Sequence, residues 1–285
     1  QALVIERPSN QVPTEALVLI QAAAAQGLLY ARTDAAAIRL ADAASAGEAR
    51  EELLRCGAAG DARAFRVLGL ASASGAGGAQ PNPAQAVAYM RRASDAGDPG
   101  GMSILGRMYI NGYGGLTPNH AEAIRLLRRA AENGFPEAMG YLGHFLMFGQ
   151  TGVTRNEVEG LSWLTRGGRY NDPVAQTNLG YVYEMGLAGQ TQNFPQAVTH
   201  YRRAAALGDV FAQTRLADIY SEGRAGVGAN VQEARRYLMM AVEAGDANAQ
   251  ALAGSHYEYG RHGFPRNAAE AARLYQLSAA QGNIT

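Results

Sequence analysis

Along residues 98–134 the apolar and small side chains fall into two stripes of different phase. Gly101, Leu105, Met108, Tyr109 and Gly112 recur at i, i+4, i+7, i+8 and i+11, one face of an α-helix over about 99–111. The run Gly112-Tyr113-Gly114-Gly115 then predicts a helix end and a turn, because glycine accepts the positive φ that a C-cap requires. Ala123, Leu127, Ala130 and Ala131 form the stripe of a second helix, which starts after Asn119 and closes at Asn133-Gly134. Small residues in that stripe predict close approach of the two helices.

Both stripes return at a step of 37 residues. Asparagine stands at Asn82, Asn119, Asn156, Asn193, Asn230 and Asn267, and glycine at Gly78, Gly115, Gly152, Gly189, Gly226 and Gly263. A step that never slips marks a duplicated structural unit, here 61–97, 98–134, 135–171, 172–208, 209–245 and 246–282. Residues 1–60 read as degenerate repeats that cap the array. In them 14–27 predicts a second-type helix, Leu28-Leu29-Tyr30 a connector, 37–47 a first-type helix and 51–60 the end of another second-type helix. Residues 283–285 are a tail. Each asparagine is followed three positions later by Glu or Gln, as in Asn119/Glu122 and Asn193/Gln196. That spacing predicts an N-cap completed as a reciprocal capping box, with each cap contributing about 1 kcal/mol.

The third unit departs from its siblings. Gly160, Gly167 and Gly168 replace alanines of the second helix, and Asn171 replaces the closing glycine. Glycine costs about 0.5–1 kcal/mol relative to alanine inside a helix, so this unit is expected to be the weakest, with Trp163 filling the space the glycines open.

The pattern A-x-x-x-L-G-x-x-Y-x-x-G-x-x-G…N-x-x-E-A-x-x-x-x-x-x-A-A-x-x-G resembles the Sel1-like repeat, a short relative of the tetratricopeptide repeat. Residues 138–168 and 212–245 match it closely, with Trp163 and Tyr237 in its aromatic slot. The resemblance implies an all-α fold: a right-handed α/α superhelical solenoid of 37-residue helix-turn-helix repeats, about fifteen antiparallel helices and no strands. Some members of the family carry a disulfide in each repeat; this chain lacks those cysteines, and nothing tied to them carries over.

Composition narrows the task. The chain has 285 residues, with 25 basic against 25 acidic side chains and no net charge, so it lacks the electrostatic footprint of a nucleic-acid binder. Every basic residue is arginine, which removes Walker-type phosphate binding and Schiff-base chemistry. Cys56 is the single cysteine, excluding an internal disulfide framework. No apolar run approaches the roughly 20 residues of a membrane helix, so no membrane insertion is expected. His120, His144, His200, His256 and His262 occupy different repeat positions, and the glycine clusters follow helices and lack a lysine. No metal, no cofactor and no catalytic set is expected.

The remaining candidate is the face of the first helix opposite its core stripe, Ser103, Arg107 and Ile110 in the type unit. The Arg107 column runs Leu70, Arg107, His144, Tyr181, Asp218 and Ser255. The Ile110 column runs Ala73, Ile110, Met147, Glu184, Ser221 and Glu258. Scaffold columns repeat while these vary, which predicts a protein-binding surface with Arg107, His144, Tyr181, Glu184, Asp218 and Glu258 as its contacts, and the resemblance implies that this face is the concave one. On the outer face, where earlier units keep arginine, the fifth and sixth units carry Met239, Met240 and Leu277, which form a second candidate contact. The function expected is a non-enzymatic scaffold for a protein or peptide, and the resemblance implies a setting in bacterial envelope assembly, secretion or signalling. The alternative is the recognition or regulatory arm of a longer enzyme, such as a protease or peptidoglycan enzyme. A periplasmic or secreted location is favoured over a cytoplasmic one. The chain starts at Gln1 without methionine and stops at Thr285 just after a second-type helix, which reads as a piece trimmed from a longer polypeptide or an end that meets a partner.

Overall fold

A computed structural model describes residues 13–149 and 152–283. The expectations drawn from Gln1 and Thr285 fall outside the described residues. Fifteen α-helices are present among those residues, and no strand. They are α1 (Thr14–Ala25), α2 (Leu29–Arg39), α3 (Ala46–Ala58), α4 (Ala62–Ser74) and α5 (Pro83–Asp95). Then come α6 (Pro99–Asn111), α7 (His120–Glu132), α8 (Pro136–Phe148), α9 (Glu157–Arg169) and α10 (Pro173–Met185). The last five are α11 (Phe194–Ala206), α12 (Val210–Glu222), α13 (Val231–Glu243), α14 (Ala247–Tyr259) and α15 (Ala268–Ala280). From α4 onward, even-numbered helices are the first of each unit and odd-numbered ones the second. The chain divides into two compact units, 1–138 with 151–153 and 139–150 with 154–285.

The asparagine column caps the second helices. Asn119 Oδ1 accepts from the Glu122 amide at 3.0 Å, Asn193 from Gln196 at 3.0 Å and Asn267 from Glu270 at 3.1 Å. The expected return bond of a reciprocal capping box is not made. Instead each asparagine's own N–H donates to a carbonyl near the end of the preceding helix: Asn119 to Tyr109 at 2.9 Å, Asn193 to Tyr183 at 2.7 Å and Asn267 to Tyr257 at 2.8 Å. That amide is already spent on joining the two helices, and this frees the glutamates. Glu122, Glu233 and Glu270 take Arg125, Arg236 and Arg273 at i+3, each contact pulling the carboxyl below its ordinary range.

The first helices carry caps the sequence reading missed. Asp98, Asp172, Asp209 and Asp246 accept from Gly101, Ala175, Ala212 and Ala249 at 2.6–2.8 Å. Gly75, Gly112, Gly186 and Gly260 end their helices in the left-handed conformation, with φ between 65° and 73°. Asn171 takes the closing glycine's place at φ 56°, a conformation asparagine tolerates better than most residues.

The N-terminal region needs one correction. Leu28-Leu29-Tyr30 is not a connector, because α2 begins at Leu29, and 37–47 holds the end of α2 and a turn instead of a first-type helix. The turn is set by short polar side chains in an alanine-rich stretch. Asp42 Oδ1 accepts from the Ala44 amide at 3.2 Å, and Ser45 Oγ donates to the Arg39 carbonyl at 2.9 Å. Cys56 is buried in α3, and burial pushes its thiol pKa up.

The glycines of α9 also differ from expectation. They open no space for Trp163. A Cβ on Gly160 would stand 2.7 Å from the Met147 amide nitrogen, and one on Gly167 would stand 3.0 Å from the Ala175 Cβ. The space beside these glycines is already taken by the α8 backbone at Gly160 and by the Ala175, Met139 and Leu179 side chains at Gly167 and Gly168. Trp163 is buried on the same face of the helix, its indole N–H donating to Glu159 at 3.2 Å and its ring lying under the Arg166 guanidinium at 4.3 Å.

Candidate functional site

A first helix buries its leucine column, as Leu105, Leu142, Leu179 and Leu216 all show. Stepping 100° per residue away from that column, the side chains left toward solvent are Ile104, Arg107 and Asn111 in α6, and Tyr141, His144 and Phe148 in α8. The corresponding stripes are Tyr181 and Met185 in α10, where Asn178 is buried, and Arg215, Asp218 and Glu222 in α12. Of the stripe expected from sequence, 103/107/110, the middle column is partly exposed and the edges turn inward. Ser103 is fully buried, and Met147 and Glu184 lie inside.

Glu184 is therefore not an open contact. Its side chain is 6% exposed and accepts from the Tyr201 hydroxyl at 2.7 Å and from the Arg215 guanidinium. This pairing joins α10, α11 and α12, and burial together with the carboxylate pushes the Tyr201 pKa far up. Glu258 is half-buried and accepts from the Tyr275 hydroxyl at 2.8 Å. Arg107, in the first compact unit, pairs with Glu137 at 2.6 Å and keeps a 41% exposed side chain. Asp218 faces Arg215 at 3.5 Å and Arg224 at 3.3 Å.

Of the expected contacts, His144 and Tyr181 share a groove. It has a volume of about 460 Å³ on α8, α10 and α12, and its other walls include Phe148, Thr177, Asp209 and Phe211. Phe148 meets the Tyr181 ring edge-on at 5.7 Å. Asn178 Nδ2 donates to the Val174 carbonyl at 2.7 Å, which leaves its Oδ1 to accept from His144 Nδ1 at 2.9 Å. In the neutral imidazole this leaves the other ring nitrogen as an acceptor. Sequence reasoning missed Phe148, Thr177, Asp209 and Phe211. Phe211 carried the readable signal, since Gly100, Glu137, Val174 and Asn248 occupy its position in the other units.

A neighbouring hollow of about 580 Å³ is lined by Thr214, Asp218, Leu252, His256, His262 and Phe264, among others. His256 and His262 lie 4.6 Å apart, ring centre to ring centre, and burial, with added repulsion from His262 and Arg261, holds the His256 pKa down to about 4. Among the described residues no group of three or more His, Cys, Asp or Glu is placed to hold a metal ion. No helix among them is long and apolar enough to cross a membrane.

On the outer face, Met239 and Met240 are half-buried against the core of the second unit and do not form an open apolar patch. Met240 lies back along the helix, its Sδ 3.6 Å from Arg236. Leu277 is 42% exposed.

The Sel1 repeat pattern matches residues 67–98, 99–135, 136–169, 173–209, 210–246 and 247–283, nearly the whole span of the regular units. The chain belongs to the Sel1 repeat family. A Sel1 repeat protein from Oxalobacter formigenes is 29% identical, with 78% of this chain and 89% of that one aligned and a TM-score of 0.68. A protective antigen of uropathogenic Escherichia coli, described as having an SLR fold, is 26% identical with a TM-score of 0.61. There 94% of this chain is aligned, spanning 57% of that protein. An immunity protein from Pseudomonas aeruginosa shares the fold at 21% identity, with 79% of this chain and 84% of that one aligned and a TM-score of 0.55. No curated protein matches the chain. Sel1 repeat proteins are generally protein-interaction scaffolds and typically not enzymes.

Proposed function

We propose that this Sel1 repeat chain is a non-catalytic scaffold that holds a protein or peptide segment on the exposed stripe of its first helices, with the groove on α8, α10 and α12 as the principal contact. The observation that carries the reading is the groove itself. Aromatic side chains from three successive first helices converge there, although the scaffold columns between them repeat almost unchanged. Tyr and other aromatic residues supply large contact area at low entropic cost, and they are enriched among interface anchors. Asp218 extends the surface along α12, while Arg107 offers a separate contact in the first unit. Leu277 remains the outer-face candidate. The description of the E. coli relative as a protective antigen supports placing this scaffold in the bacterial envelope or its secretion traffic.

The test is a random peptide library displayed on phage and selected on the immobilised chain. Tyr181→Ala with Phe211→Ser is expected to abolish binding of the selected peptides and to keep the helical circular dichroism signal. Leu277→Ser is expected to leave binding unchanged. Selected peptides that ignore the double variant and lose binding with Leu277→Ser would move the site to the outer face.

A further inference from the structure

We infer that the groove on α8, α10 and α12 receives the guanidinium of an arginine carried by the partner segment; this rests on the protein-binding reading above and specifies what enters the groove. The repeat supplies its own template. In the first unit Arg66, on α4, reaches across to Asp98, the N-cap of α6, with Nε 2.8 Å from Oδ2. Both side chains are almost wholly buried, at 7% and 5% exposure. Gly100 makes the room, because a Cβ there would stand 2.6 Å from Arg66 Nε. The structure thus contains an arginine seated on the capping aspartate of a first helix.

Three repeat steps further along, the equivalents of Arg66, Asp98 and Gly100 are Thr177, Asp209 and Phe211. All three line the groove. The aspartate is kept, and the arginine that would neutralise it is replaced by a short side chain. Asp209 Oδ1 accepts from the Ala212 amide at 2.7 Å, and no arginine of the described residues forms an ion pair with this carboxylate. The Thr177 hydroxyl is buried without a hydrogen-bond partner. A buried hydroxyl left in this state costs free energy that an incoming donor recovers. The groove wall includes Asp209 and no arginine.

The surroundings suit a planar cation. Phe148 and Tyr181 form an edge-to-face pair, and Phe211, 48% exposed, stands where Gly100 leaves space for Arg66. Aromatic faces attract guanidinium through the ring quadrupole and by stacking, which an ammonium does less well. The second ring nitrogen of His144, an acceptor in the neutral imidazole that donates to Asn178, adds a further place for a guanidinium N–H. Arginine, not lysine, therefore matches the combination of carboxylate, π-faces and neutral acceptors.

The experiment titrates the whole chain with acetyl-Gly-Gly-Arg-Gly-Gly-amide and its lysine and citrulline counterparts, followed by NMR. Citrulline keeps the shape of arginine and removes the charge. Saturable binding of the arginine peptide is expected, weaker by about tenfold or more for citrulline and for lysine. Asp209→Asn keeps the helix cap and is expected to erase the preference for arginine over citrulline. Thr177→Arg rebuilds the Arg66–Asp98 arrangement inside the groove and is expected to fold and to lose the arginine peptide. Equal binding of arginine and citrulline, no saturable arginine binding, or undiminished arginine binding by a folded Thr177→Arg variant would each overturn the inference. Peptides selected from the phage library separate this from the broader reading. Groove-dependent peptides without arginine sink the arginine assignment and leave the scaffold reading standing, whereas peptides indifferent to Tyr181 and Phe211 sink both.

Discussion

Helices α7 and α9 occupy the same place in consecutive repeats and solve the same packing problem in opposite ways. In α7 the contact residues are Ala123, Ala130 and Ala131, each fully buried. In α9 their equivalents are Gly160, Gly167 and Gly168, and the place of the methyl groups is taken by α8 backbone at Gly160 and by the side chains of Ala175, Met139 and Leu179 at the other two. Helix propensity ranks α7 above α9. The packing removes that ranking, because the glycines permit an approach that alanine forbids. A glycine inside a helix is a weakness only when the space beside it is empty.

The comparison breaks most sharply at Gly160. Alanine there should raise helix propensity, yet its Cβ would meet backbone atoms on α8, so Gly160→Ala is expected to lose about 1–3 kcal/mol in urea unfolding. A gain in stability would show that α9 is merely a poor helix. The mirror change, Ala123→Gly in α7, is expected to cost about 1 kcal/mol through backbone entropy and a lost buried methyl. Both helices share their entry device, so Asn119→Ala and Asn156→Ala should each cost about 1 kcal/mol and by similar amounts. Unequal losses in thermal melts would mean the two caps differ in ways their geometry does not show. The smallest effect concerns the outer side of α9. Removing the cation above Trp163 with Arg166→Ala should cost about 0.5–1 kcal/mol and shift the tryptophan fluorescence, with no counterpart in α7, where Leu126 stands in that position.

Much of the architecture was legible in the chain because the columns that make it repeat. Leucine, glycine and asparagine at a constant step announced helices, turns and caps, and the helix boundaries followed within a residue or two. The groove was harder to read. It is assembled from the middle of α8 and α10 and the first turn of α12, so its members belong to different columns. Tyr181 and His144 were found because they share one. Thr177, Asp209 and Phe211 were not, since each is ordinary within its own helix and acquires meaning only beside the other two. Glu184 failed for a related reason. A one-residue rotation of the assumed stripe placed an interior ion pair on the surface. The early turn at Asp42 and Ser45 was hidden by the alanines around it, which support a helix equally well on either side.

The asparagine amide that reaches back to the preceding helix has a further consequence. In every unit it meets the carbonyl ten positions earlier, from Asn82 to Ser72 through Asn267 to Tyr257. The connection is closed at both ends and has no slack, so one residue more or less would pull the cap from its helix or the glycine turn from its conformation. Gene length in such a protein can then change only in quanta. Loss or gain of a whole 37-residue block leaves two matched ends to rejoin, and the molecule becomes a shorter or longer ruler with its markings intact.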